Sequence, residues 1–179
     1  MAEDETKKED QENIEPTEKI RETLETEYIS RIVVDYDRDL DDAIEAGHYD
    51  EINPKIHKTK FPKNEAEKGK RELSFKVFSL RESAFSESGE AIEKMAEQGY
   101  RPATHKELLA FGEVNPEFIL DYPVNALGTT VDVKKDKESI SAVVELYTVL
   151  GKRRVSFQPY NRKWDRYCRF LGVLKEKEN

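Results

Sequence analysis

The chain has 179 residues, of which 36% are hydrophobic and 38% charged, with a formal net charge of −8. An average globular protein carries only ~25% charged residues. A single cysteine, Cys168, excludes an intrachain disulfide, no apolar run approaches the ~18 residues of a membrane span, and the N-terminus lacks the basic start and apolar core of a secretory signal. The expectation is a soluble, cytoplasmic protein with no membrane partner.

The charge is unevenly placed. Residues 1–28 hold 11 acidic and 4 basic side chains, whereas residues 152–179 hold 3 acidic and 9 basic ones. A head such as "MAEDETKKEDQENIEP" has almost nothing to bury, so it is expected to be disordered. Within it "TEKIRETLETEY" spaces Ile20, Leu24 and Tyr28 four apart, a thin stripe for a short helix. Residues 29–70 read as a small strand-helix-loop segment. "RIVV" (31–34) is a short strand. Leu40, Ala43 and Ile44 form one face of a helix capped by Asp39 and stopped at Gly47. The Pro- and Lys-rich stretch 48–70 is loop.

The main domain is expected over residues 71–176. "LSFKVFSL" alternates Leu73, Phe75 and Val77 as a strand. Two helices come next. Ser86 or Ser88 caps the first, Ile92, Met95 and Ala96 are its buried stripe, and Gly99 ends it. The second starts inside "GYRPATHKELLAFG": Thr104 and Glu107 form the T-x-x-E pattern of a capping box, and Pro102 holds Arg101 extended. Leu108, Leu109 and Phe111 face the core, and Gly112 closes the helix. "NALGTTVDV", "ISAVVELYTVL", "RRVSFQ" and "YCRFLGVL" read as strands. The last has apolar residues on both parities, the mark of an interior strand. The fold class is therefore α+β, a mixed or antiparallel sheet with two helices.

Motifs for chemistry mostly fail on spacing. Asp35, Asp37 and Asp39 open a D-x-D-x-D pattern, but Leu40 stands where a calcium loop needs Gly and Ala46 where it needs Glu. Gly69-Lys70 lacks the upstream Gly and the following Ser/Thr of a phosphate loop. His48, His57 and His105 are not at ligand spacing from one another or from Cys168, so no metal or cofactor is expected. His105, at the first helical position, is read as exposed. Cys168 has arginines beside it that favour a thiolate, but no base is evident; it is read first as a small hydrophobe in a central strand. The segment "KRRVSFQPYNRKWDRYCRF" interleaves Arg153, Arg154, Arg162, Arg166 and other cations with Tyr160 and Trp164, a composition that suits single-stranded nucleic acid. These six residues and Arg101 are the candidate ligand-binding residues. Arg101 faces a choice between a structural carboxylate and an exposed anion, with the structural role favoured.

Two resemblances bear on this reading. Residues 31–175 resemble an uncharacterised bacterial protein family through "DLDDAIEAGHYDEINPKI", "GYRPATHKELLAFG", "ALGTT", and Trp164, Arg169, Phe170, Leu171, Val173 and Lys175; this resemblance implies no catalytic residues. More distantly, Arg101, Pro102, Thr104 and Glu107 are similar to the R-L-P-T-x-x-E helix start of C-type-lectin-like domains, including the formylglycine-generating enzyme superfamily. That likeness implies that the first strand of the main domain, 74–80, pairs with the last. It implies neither best-known activity of the scaffold. One cysteine cannot supply the pair that formylglycine generation needs, and Trp164-Asp165 lacks the Asn of a W-N-D sugar signature. The expectation is a non-enzymatic binding or interaction module whose ligand is unknown. Single-stranded nucleic-acid binding, an enzyme using Cys168 or a carboxylate pair, and a protein partner for the acidic head are the alternatives.

Overall fold

The computed structural model describes residues 28–57, 60–80 and 85–176. The acidic head, expected to be disordered, lies outside them apart from Tyr28. In chain order the elements are β1 (Ile29–Asp35), α1 (Leu40–Ala46), β2 (Glu51–Ile52), β3 (Lys70–Ser79), β4 (Phe85–Ser86), α2 (Ser88–Glu97), β5 (Tyr100–Pro102), α3 (His105–Val114), α4 (Pro116–Asp121), β6 (Val124–Lys135), β7 (Glu138–Val149), β8 (Lys152–Pro159), β9 (Trp164–Asp165) and β10 (Arg169–Leu174).

β10 has neighbours on both edges. One edge runs antiparallel to β3, with Leu171 opposite Val77 and Val173 opposite Phe75. The other edge is shared: Arg169 and Phe170 run parallel to Val124 and Asn125 of β6, and Gly172–Leu174 pair antiparallel with β5. The sheet order is β1-β3-β10-β6-β7-β8-β2, with β5 alongside β10. β6, β7 and β8 form an antiparallel meander, and β2 adds to β8 in parallel. The fold is α+β with a mixed sheet, and the pairing of 74–80 with the last strand is present. β1 and β2, both from the 29–70 segment, form the two edges of this sheet. No helix among the described residues is long and apolar enough to cross a membrane.

Side chains alternate across the sheet with period two, so β10 feeds both faces. Leu171 and Val173 pack with Phe75, Leu108, Phe111 and Val144 beneath α3; Phe170 packs with Phe78, Met95, Trp164 and Cys168 beneath α2. Full burial of each such side chain contributes about 1.5–3 kcal/mol. The strand therefore ties two cores together, which explains apolar residues at both parities.

Several local expectations need correction. Neither Ser86 nor Ser88 caps α2: Glu87 does, through a capping box with Glu90. The buried face of α2 is Ser88, Ala91 and Met95, and Ala96 is exposed, because the helix turns its Ala91–Met95 side toward the sheet. Gly112 does not end α3, which runs on to Val114. It is a close-approach residue: a Cβ there would lie 2.1 Å from the Tyr49 hydroxyl and 2.6 Å from a Leu146 methyl. Cys168 precedes β10 in a turn, with its amide bonded to the Asp165 carbonyl. Helix α4, "PEFILD", starts on a proline immediately after α3 and has no counterpart among the expected elements.

A register shift interrupts the β6–β7 ladder between Ala126 and Val131. Gly128 sits in it and donates its amide to the Ala103 carbonyl, at 2.8 Å. A Cβ on Gly128 would lie 2.6 Å from that same oxygen and 2.7 Å from the Pro102 oxygen. Both are backbone atoms and cannot swing away. Gly128→Ala is therefore expected to lower stability by about 2 kcal/mol, read as a fall in the urea midpoint; an unchanged midpoint contradicts the close approach.

Candidate functional site

The "GYRPATHKELLAFG" turn buries a charge. Glu107, the third residue of α3, is 0% exposed. Its carboxylate accepts from the Thr104 amide at 2.7 Å, the Glu107 half of the capping box. Arg101, on the extended strand β5, grips both its oxygens, at 2.7 and 2.9 Å, and the Tyr36 hydroxyl donates to it as well. Burial by itself raises the Glu107 pKa; the Arg101 donors and charge, with Tyr36 and Thr104, outweigh that and hold it below the ordinary glutamate value. Arg101 is thus placed in the structural pairing.

The basic-aromatic segment is also largely engaged within the protein. Arg153 donates to the carbonyls of Gly47 and Gly112, at 2.7 and 2.8 Å, and lies over the Tyr49 ring. Arg154 pairs with Glu51 at 3.0 Å. Trp164 is buried, with its indole N–H donating to the Ser88 hydroxyl at 2.9 Å. The Ser88 hydroxyl in turn donates to the Tyr160 carbonyl, and the Tyr160 ring packs against the core beneath α2. Arg166 is exposed, beside Tyr167 at 66% exposure. Arg162 lines a cavity outside the core.

That cavity, of about 270 Å³, lies between α4 and the β7–β8 pair. Its buried acid is Glu145, which is 4% exposed. β7 alternates here: Val144 and Leu146 join the core beneath α3, while Val143 and Glu145 take the other face. Glu145 sits opposite Asn125 of β6 and Ser156 of β8. Gln158, two residues further along β8, donates its amide N–H to the Glu145 carboxylate at 2.8 Å, while its oxygen accepts from Arg162 at 2.6 Å. Arg162 also lies over the Trp164 ring, 5.0 Å from its centroid. Burial raises the Glu145 pKa against the pull of Gln158, Asn125 and Arg162. Asp165 and Cys168 complete this side of the cavity. Burial first, then the charges of Asp165 and Glu145, push the Cys168 thiol up to about 12.

Glu145 is not among the residues expected at a site. The signal is present: in "SAVVELYTV" it is a lone carboxylate between Val144 and Leu146 in an apolar run. The strand reading absorbs it, because strand periodicity alone does not say which polar position faces a cavity.

A larger cavity, of about 670 Å³, lies on the other side of the molecule under the 61–68 segment, with Tyr36, Phe61 and His105 in its lining. His105, expected to be exposed, is instead buried, at 5% exposure, because Phe61 stacks on its ring at 4.1 Å. The Thr129 hydroxyl accepts from the His105 amide and lies 3.2 Å from Nδ1. Burial first, then the Lys106 charge, lower its pKa to about 4, against the opposing pull of Glu107. Among the described residues no group of three or more His, Cys, Asp or Glu side chains is arranged to hold a metal ion.

In comparison with known proteins, no family model, no curated sequence and no solved structure matches this chain.

Two outcomes test the buried charges. Arg101→Met leaves Glu107 buried without its cation and is expected to cost about 3 kcal/mol at neutral pH. The deficit shrinks as pH falls and Glu107 takes up a proton; a deficit that does not vary with pH contradicts the pairing. His105 has its pKa lowered on folding, so the unfolded chain binds the extra proton between pH 6.5 and 4. The stability that His105 contributes is lost as pH falls through that window, by about 3 kcal/mol. In denaturant titrations across that window, His105→Gln removes this slope; a variant with the parent's slope contradicts the assignment.

Proposed function

We propose that the chain is a non-enzymatic binding module on a C-type-lectin-like scaffold, with the Glu145 cavity as its ligand site. The scaffold reading is supported by the antiparallel pairing of β3 with β10 around an intervening helix pair, and by the Arg101–Glu107 contact within the resembling motif. The observation that carries the binding reading is the cavity itself, a polar recess with one buried carboxylate held in place by a side-chain amide. The scaffold alone implies no function; the side chains of this recess do.

The thiol version of the enzyme reading gains little here. With its pKa near 12, Cys168 is almost wholly protonated at neutral pH. A carboxylate-pair version has more in its favour, since Glu145 and Asp165 line one cavity and acid–base pairs are built from carboxylates in unlike environments. Against it, Asp165 is committed to its own turn, where Oδ1 accepts the Tyr167 amide at 2.8 Å. The nucleic-acid version rests on Arg166 and Tyr167, because Arg153, Arg154 and Trp164 are engaged within the protein.

A protein-observed NMR screen of small polar molecules against the full chain tests the proposal. Hits are expected to shift the amides of residues 119–122, 145–148, 158 and 160–168. Leu120 lines the cavity and is half exposed, so Leu120→Trp narrows the cavity without disturbing the core, and the hits are expected to be lost. Hits scattered over other surfaces, conversion of a hit to product, or shifts caused by a short oligothymidylate at low salt each contradict the proposal.

A further inference from the structure

If the Glu145 cavity is the binding site proposed above, its lining dictates the charge of the ligand. A carboxylate taken out of water costs several kcal/mol unless it is paired. Among the described residues two are buried. Glu107 has a guanidinium on both oxygens. Among the described residues Glu145 accepts from the neutral amide of Gln158, with Asn125 opposite it on β6. The nearby cation, Arg162, acts on it through its charge but forms no ion pair with it: one nitrogen goes to the Gln158 oxygen, and the guanidinium lies over Trp164. Among the ion pairs of the described residues, none includes Glu145.

The hydrogen-bond polarity of the lining agrees. Gln158 spends a donor on Glu145. Asp121 and Asp165 add further carboxylates to the lining, against the single cation Arg162. An anion entering here meets acceptors and like charge. A group with several N–H donors and a positive charge meets partners. Tyr147 lines the same space, and an aromatic wall is compatible with an alkylammonium. The volume suits a ligand somewhat smaller than the roughly 300 Å³ at which drug-sized sites begin.

We infer that this cavity takes a small primary-ammonium ligand, with the Glu145 carboxylate as counter-ion. The protein supplies the acceptors and the ligand supplies the missing cation. Arg162 acts through Gln158 as a positioning residue: it fixes the amide that orients the Glu145 carboxylate.

The test is an amide-shift titration of the full chain with n-propylammonium chloride, n-propanol and sodium propionate at matched ionic strength. These probes share a propyl-sized chain and differ in charge. The expected result is a saturable shift at Glu145, Thr148 and Gln158 with propylammonium, and binding weaker by at least about tenfold for the other two. Glu145→Gln, which keeps the shape, is expected to weaken propylammonium by about tenfold or more. Should that variant fail to fold, Asp165→Asn, which keeps an acceptor for the Tyr167 amide and removes a lining charge, takes its place, with binding expected to fall several-fold. Unchanged ammonium binding in whichever variant folds overturns the inference. Propanol or propionate saturating the same amides as well as propylammonium also overturns it, while leaving the cavity a binding site. No saturation by any probe at these amides overturns it too. In that case, screening hits at other surfaces mark failure of the binding-site reading, and hits within the cavity mark failure of the charge assignment alone.

Discussion

Removing a carboxylate from water is among the most expensive steps a small domain takes on folding. Among the described residues it is taken twice, and the two solutions differ in kind. At Glu107 the cost is offset within the protein. A guanidinium, a phenol and a backbone amide converge on one carboxylate and lock the start of α3 against β5 and the end of β1. At Glu145 the amide of Gln158 orients the carboxylate, and among the described residues no cation forms an ion pair with it. The first arrangement is complete in itself. The second sits beside an open space, and the proposed function grows out of that difference.

The frame that makes this possible is β10. It pairs with β3 on one edge and divides the other between β6 and β5. The β5 contact fixes Arg101 beside Glu107, and the β6 contact starts the meander that carries Asn125, Glu145 and Gln158 onto one face. A structural ion pair and a candidate site thus hang on the two halves of one strand. Arg169, 1% exposed, stacks on Tyr122 and donates to the carbonyls of residues 166–168, so it shapes the turn that presents Asp165 and Cys168.

Much of the frame is legible in the sequence because it rests on local rules. The Thr104–Glu107 spacing announces a helix start, and Asp39 announces another, its side chain accepting from the Asp41 amide. Alternation in "LSFKVFSL" announces β3 as a strand, and two-sided apolarity in "YCRFLGVL" places β10 in the interior. The misreadings share a cause, which is that tertiary contact overrides a local cue. Gly112 has the look of a helix stop but yields its Cβ space to Tyr49, from a distant part of the chain. His105 looks exposed until Phe61, from a loop, covers it. In the basic-aromatic segment Arg153 and Arg154 are held by carbonyls and a carboxylate from distant elements, while Arg166 is exposed. Glu145 is hidden in the reverse sense: nothing in its neighbourhood along the chain reveals that β8 brings an amide, and not a cation, to meet it.

The most direct measurement of the central claim is the titration of the Glu145 side-chain carbon by NMR in the full chain, without and with propylammonium. A carboxylate buried beside neutral partners has its midpoint above the ordinary glutamate value, and a bound cation draws that midpoint down. A midpoint at or below the ordinary value in the free protein, or one that propylammonium leaves in place, contradicts a buried carboxylate waiting for its counter-ion.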